Sequence, residues 1–150
     1  EGLARLEAGQ IKEMQTVDGQ SKYTSDQLTA ALTQLMHAYQ PGEVRTQSNY
    51  TGRIYPDHSD HMATGRYTQR AHAAYEMQQF ADAVTIPIHF YIGYPIHEMA
   101  PNVTDGDLQQ KTEAFAAYAQ FDNAVCAVMH PCKFAPVFQA YLGRQYQSGQ

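Results

Sequence analysis

SDHMATGRYTQRAHAAYEMQQFADAV, residues 59–84, is the stretch on which the reading of the fold turns. It contains no proline, and it opens on Ser59 and Asp60, residue types that suit the first turn of a helix. Its second half places Ala73, Ala74, Met77, Phe80, Ala81 and Val84 at helical spacing. The pattern predicts a helix from Ser59 to about Val84. Gly65 should weaken its first turns by about 1 kcal/mol relative to alanine. Arg66 and Arg70 stand four apart, on a line that continues through Ala73 and Met77. One face is thus cationic at one end and expected core at the other. Two guanidinium groups a turn apart repel each other and call for an anion. Within the chain the candidates are Glu76, Asp82, Glu98 or Asp122; outside it, the natural anion is a phosphate backbone.

Downstream lies TIPIHFYIGYPIHEMAP, residues 85–101. Pro87, Pro95 and Pro101 forbid a regular helix. Ile86, Ile88, Phe90 and Ile92 alternate, which suits a short extended segment buried on one side. A further helix should open at Thr104 or Asp105 and run to about Met129, carrying Leu108, Phe115, Tyr118, Phe121 and Val125, until Pro131 stops it. A last helix is expected over about Lys133–Gln147, with Phe134, Phe138, Tyr141 and Leu142 on one side and Gly143 out of keeping.

Upstream, residues 42–58 read as a long polar loop. Before it, Thr24 or Ser25 caps a helix with a stripe of Leu28, Ala31, Leu32, Leu35 and Met36, ended by Pro41-Gly42. Asp18-Gly19 marks a turn. Residues 1–17 carry Leu3, Leu6, Ile11, Met14 and Val17 and read as an amphipathic helical arm. Its stripe needs a partner in the same chain or another. The expected fold is all-α: a compact bundle of four to five helices in one domain over 1–150. It has an N-terminal amphipathic arm and a Pro-interrupted extended segment at 85–103.

Composition narrows the functional classes. Ten Lys and Arg stand against 15 Asp and Glu, a formal charge of −5. This excludes a uniformly basic nucleic-acid binder, although local clusters decide affinity. No run of 18 apolar residues exists, so no membrane span is expected. The N-terminal Glu1 suggests a trimmed or cleaved start. Asn49-Tyr50-Thr51 and Asn102-Val103-Thr104 are glycosylation sequons. Cys126 and Cys132 flank Pro131, so a disulfide between them is geometrically feasible, as are two free thiols.

Several clusters could carry chemistry. His58 and His61 flank Asp57 and Asp60 in DHSDH at a helix start, where they could bind Zn or Cu weakly or simply feed an N-cap. His72 and Glu76 share a helix face, but the second histidine pair of a di-iron site is missing. Cys126, His130 and Cys132 could form part of a zinc site that lacks an evident fourth ligand. No Gly-rich phosphate loop, G-x-S-x-G elbow or HExxH occurs. The expectation is therefore a protein that is not an enzyme, without cofactor or metal.

The remaining signal is a track of arginines among tyrosines. Arg45, Arg53, Arg66 and Arg70, with Tyr50, Tyr55 and Tyr67 between them, could contact phosphate and sugar oxygens, and Arg5 and Lys12 could extend the track. The plan resembles the coat proteins of filamentous archaeal viruses, small helical chains that wrap double-stranded DNA. The likeness is carried by LTAALTQLMHAYQPG, residues 28–42, by the Arg/Tyr segment and by the apolar C-terminal helices. It implies a structural subunit of a virion that assembles with copies of itself or a paralogous subunit and packages nucleic acid through non-specific backbone contacts. The alternative is a secreted, extracellular helical domain that binds a small apolar ligand and is stabilised by a Cys126–Cys132 bridge.

Overall fold

Gly65 lies where helix and strand touch. In the computed structural model, a Cβ at this position would collide with the backbone carbonyl oxygen of Gln47 and lie 3.2 Å from its carbon. The helix that carries Gly65 is α3, Ser59–Gln78, and the strand is β3, Val44–Gln47. The structure describes residues 2–50, 56–78, 85–122, 125 and 136–149. The expected continuation of α3 to Val84, Arg53, and both cysteines with His130 lie outside these residues, and no disulfide or zinc reading is drawn from them.

β3 pairs in parallel with β4, Ile88–Tyr91, in the register Val44↔Ile88 to Gln47↔Tyr91. Parallel neighbours need a long crossover, and α3 supplies it, packing on both strands. This β–α–β unit corrects the all-α expectation: the chain is mixed, with helices dominant and two small two-stranded sheets. The polar loop expected from residue 42 begins as a strand. Val44-Arg-Thr-Gln47 has one apolar residue and no alternation, so its strand character comes from its distant partner.

The second sheet corrects the arm. Helix α1 spans only Gly2–Glu7, and Met14–Gln15 (β1) pairs antiparallel with Lys22–Tyr23 (β2) about the Asp18-Gly19 turn. Gly19 has φ +72°, a conformation that favours glycine. Leu6 is fully buried where α1 packs on α3, whereas Val17 is fully exposed. The arm's partner is therefore this same chain.

Helix α2, Ser25–Tyr39, is capped by a reciprocal Thr24–Gln27 box and ends at Gln40 in the left-handed region. It turns polar residues toward α3. Ser25 Oγ meets Tyr67 Oη at 2.8 Å, Thr33 Oγ1 donates to Ala71 O, and His37 Nε2 meets Gln78 Oε1 at 2.8 Å. Of the expected stripe, Leu28, Ala31, Leu32 and Met36 are half-buried and Leu35 is 52 % exposed; Tyr39, one turn on, is 80 % exposed.

The core lies around α3 and β4. Ala63, Tyr67, Ala71 and Tyr75 form the buried line of α3, at steps of four. Ala73 is exposed and Met77 is 87 % exposed, so the line through Arg66 and Arg70 runs on to solvent and not into core. Phe90 and Ile92 are buried, as the alternation in this segment requires. A 3-10 helix, Tyr94–Glu98, follows and buries Pro95 and Ile96. Helix α4 spans Asp105–Ala119 and helix α5 spans Pro136–Leu142. Gly143 sits in the turn after α5, and its carbonyl accepts from the amides of Asn102 and Val103. The C-terminal segment then bonds to the free side of β4 through Ile92 N to Tyr146 O and Ser148 N to Phe90 O.

Gly65→Ala tests the α3–β3 contact. Alanine is the better helix former by about 1 kcal/mol, yet the collision with Gln47 should leave the variant about 1–3 kcal/mol less stable. Urea unfolding measures the difference; a variant more stable than the parent would place α3 farther from β3.

Candidate histidine centre and the arginine pair

Asp57 lies in the turn that leads into α3, and its side chain is fully buried. Its Oδ1 accepts from the amide of His58 at 2.8 Å and from Tyr94 N at 3.2 Å, and its Oδ2 accepts from Gly93 N at 3.1 Å. These three backbone donors anchor the start of α3 to the start of the 3-10 helix. The fourth donor is His61 Nδ1, at 2.8 Å from Oδ1. An ionised carboxylate only accepts, so with Asp57 ionised Nδ1 is the donor, and in the neutral ring Nε2 carries the lone pair. Gly93 is required beside it. A Cβ there would lie 2.7 Å from Asp57 Oδ1 and 2.8 Å from Cγ.

Around His61, which is 30 % exposed, aromatic side chains gather. Its ring centroid is 5.4 Å from that of His58 and 4.8 Å from that of Tyr94. Tyr94 neighbours Tyr141 at 5.7 Å, and His97 meets Tyr141 edge-on at 6.2 Å. His97 Nδ1 lies 2.7 Å from Tyr94 O. Burial, and then the charges of Tyr94 and Asp57, push the Tyr141 phenol above its ordinary range. Tyr141 therefore stays a hydrogen-bond donor at neutral pH.

DHSDH was legible as a helix start with metal-binding residue types, and the structure divides its roles. Asp57 organises His61, while Asp60 accepts from Ala4 N at 2.8 Å and ties α1 to α3. Burial opposes ionisation of Asp60, but its surroundings, that amide first among them, outweigh it and hold its pKa below the ordinary carboxylate value. Among the described residues, no three His, Cys, Asp or Glu side chains are grouped so as to hold a metal ion. Ser59 Oγ is buried without a hydrogen-bond partner among those residues, so no Ser–His–Asp relay is formed. The His72–Glu76 pair lies apart: His72 Nε2 is 2.8 Å from Ile86 O and 3.5 Å from Glu76 Oε1.

The expected nucleic-acid contacts are scattered. Arg66 Nε donates to Glu7 Oε1 at 2.9 Å and a terminal nitrogen to Oε2 at 2.5 Å, and Arg70 donates to Oε1 at 3.1 Å. One carboxylate on α1 thus bridges both arginines, which leaves the trio with one net positive charge, and the Glu7 hydrogen bonds raise the Arg66 pKa further above its ordinary value. Arg70 also stacks over Tyr67, 4.3 Å from the ring centroid. Among the described residues the partner is Glu7 and not Glu76, Glu98 or Asp122; Asp82 lies outside them. Glu7 lies 59 and 63 positions away, with no local pattern to reveal it. Arg45 pairs with Glu43 at 2.6 Å. Arg5 and Lys12 are exposed. The Asn102 side chain is engaged by the backbone of Gln145 through both its nitrogen and its oxygen.

Comparison with family models, curated proteins and solved structures gives no match. The likeness to filamentous-virus coat proteins therefore rests on the sequence plan alone. No helix among the described residues is long and apolar enough to cross a membrane.

Glu7→Gln should loosen α1 from α3. The arginines are more than one-third exposed, so solvent screening limits the expected loss to about 1–2 kcal/mol. Deuterium exchange should quicken in residues 2–7 of the variant. Unchanged exchange together with unchanged stability would show that the Glu7 bridge does not hold α1 down.

Proposed function

We propose that the Asp57–His61 pair is the acid–base centre of an enzyme acting on a small polar substrate, by hydrolysis or a comparable proton transfer. The observation that supports it is a fully buried carboxylate holding Nδ1 of a partly exposed histidine. A purely structural role at this turn needs Asp57 only as an acceptor of backbone amides, and it already accepts three. The fourth bond fixes the ring and tautomer of a side chain that reaches solvent. Such an orienting carboxylate prepares an imidazole for proton transfer.

In this reading Nε2 removes a proton from water or a substrate hydroxyl. Nδ1–H remains with Asp57, whose charge stabilises the imidazolium, and the same Nε2–H then protonates the leaving group. Tyr94 stands beside the ring, and Tyr141 stands beside Tyr94. This reading departs from the non-enzymatic expectation of the sequence. That expectation drew on the lack of a Gly-rich phosphate loop, a G-x-S-x-G elbow or HExxH in the sequence, and an Asp–His pair brought together by the fold needs none of these.

Hydrolysis of p-nitrophenyl acetate and an activated anilide, read between pH 6 and 8, tests the proposal. His61→Ala should lower kcat/KM by about 10²–10⁴-fold, and Asp57→Asn should lower it as well. Nitrogen-15 NMR should find the neutral His61 ring protonated at Nδ1 in the parent. A parent with no turnover, or turnover that His61→Ala leaves intact, would sink this reading.

One observation favours a second reading, the self-assembling structural subunit. Leu35 and Tyr39 on α2 are exposed, as is Met77 at the matching end of α3. The α2 stripe from Leu28 to Tyr39 carries no charge, so two copies could pair on it without repulsion. Sedimentation velocity should then show a dimer or larger species that Leu35→Ser with Tyr39→Ser dissociates; a monomer at tens of micromolar would refute it.

A further inference from the structure

Against Ile92 and Ile96, which flank the residues that hold Asp57, three elements bring cations together. Arg45 comes from β3, Lys111 from α4, and Arg144 from the turn after α5. They line a depression of about 310 Å³ whose walls include Tyr91, Tyr146 and Ile96 and whose lining contains no acidic residue. Arg45 and Lys111 also line an adjoining outer depression of about 700 Å³, where Asp107 stands exposed.

The charges of this cleft are held by neutral groups. Lys111 Nζ donates to Arg144 O at 2.6 Å. Arg144 Nε donates to Met99 O at 2.7 Å, and a terminal nitrogen donates to Ala140 O. Among the described residues neither cation has a carboxylate partner. Burial pulls the Lys111 pKa below its ordinary value, with no acid to restore it. Arg45 is engaged by Glu43, but both are exposed, and such a pair exchanges readily in water.

We propose that this cleft binds a phosphoryl group carried on a small aromatic or apolar body. Arg144 is pre-set by its two carbonyls, so binding requires little ordering of its side chain. Its remaining N–H groups, the two spare protons of Lys111 and the fork of Arg45 form three donor sets from three elements. Three terminal oxygens bearing about two negative charges match that arrangement better than the two oxygens and single charge of a carboxylate. The tyrosines and Ile96 suit the organic body. The site is separate from the histidine centre and does not depend on its activity.

Calorimetric titration of the whole chain with phenyl phosphate, inorganic phosphate and benzoate at low salt tests the proposal. Phenyl phosphate should bind saturably at one site, more tightly than inorganic phosphate, with benzoate at least about tenfold weaker. Lys111→Gln should weaken binding about tenfold, the value of one charge-assisted hydrogen bond. Arg45→Gln should weaken it several-fold; it alters an exposed side chain and keeps the test valid if the Lys111 variant folds poorly. His61→Ala should bind as the parent does. No saturable binding by the parent, benzoate binding as tight as phenyl phosphate, or folded Lys111→Gln and Arg45→Gln variants that bind unchanged would each overturn the assignment.

Discussion

A buried carboxylate that has shed its water must find donors in the fold, and Asp57 finds them on both sides of the chain's longest described crossover. Its bonds to Gly93 N and Tyr94 N join the start of α3 to the segment after β4, 36 and 37 residues away. This closes the β3–α3–β4 unit at one end, while Gly65 against Gln47 closes it along the helix. Neither contact tolerates substitution easily. Removing one partner of a buried charge leaves it uncompensated, at a cost of several kcal/mol, and a Cβ at Gly65 or Gly93 has no room. Two glycines and one aspartate thus set where α3 lies, and α3 sets the rest: α1 and α2 both dock on it.

The way they dock is unusual for a small domain. α2 meets α3 through hydroxyl and imidazole groups, and α1 is tied down by Glu7 with Arg66 and Arg70 and by the Asp60–Ala4 bond. Polar contacts of this kind add little net stability each, but they fix position through donor and acceptor geometry. The apolar residues that could have formed a conventional helix–helix core remain half-covered or exposed on α2. The folded chain therefore concentrates its dry core beneath Tyr67, Phe90, Ile92 and Ile96 and leaves apolar surface available elsewhere.

Elements with local signals were legible in the sequence. The Thr24 cap, the stop near Pro41, the start of α3, the extended character of Ile88–Tyr91 and the opening of α4 all follow from residue type and spacing within a few positions. What was illegible depends on distant partners. β3 exists because β4 and α3 receive it, and VRTQ has no period of its own. The buried face of α3 is made of alanines and tyrosines, while the more hydrophobic Met77 is outside, so apolar periodicity pointed to the wrong side. The histidine cluster was visible as residue types. The donors that turn Asp57 into an organiser are backbone amides, and amides leave no mark in a sequence.

The same physics explains why arginine spacing leaves its partner open. Two arginines four apart require an anion wherever they are, and spacing alone cannot say whether it is a phosphate or a carboxylate brought in by the fold. Glu7, with its side chain only 15 % exposed, answers the question inside the molecule. The cations of the cleft differ in kind. Lys111 and Arg144 are held by carbonyl oxygens, which satisfy hydrogen bonds but carry no net charge, so their positive potential persists after folding. The chain around Gly93 and Tyr94 therefore separates two environments of opposite character. On one side its amides stabilise a buried negative charge that orients an imidazole. On the other, Ile92 and Ile96 wall a cleft in which Lys111 and Arg144 have no carboxylate partner among the described residues.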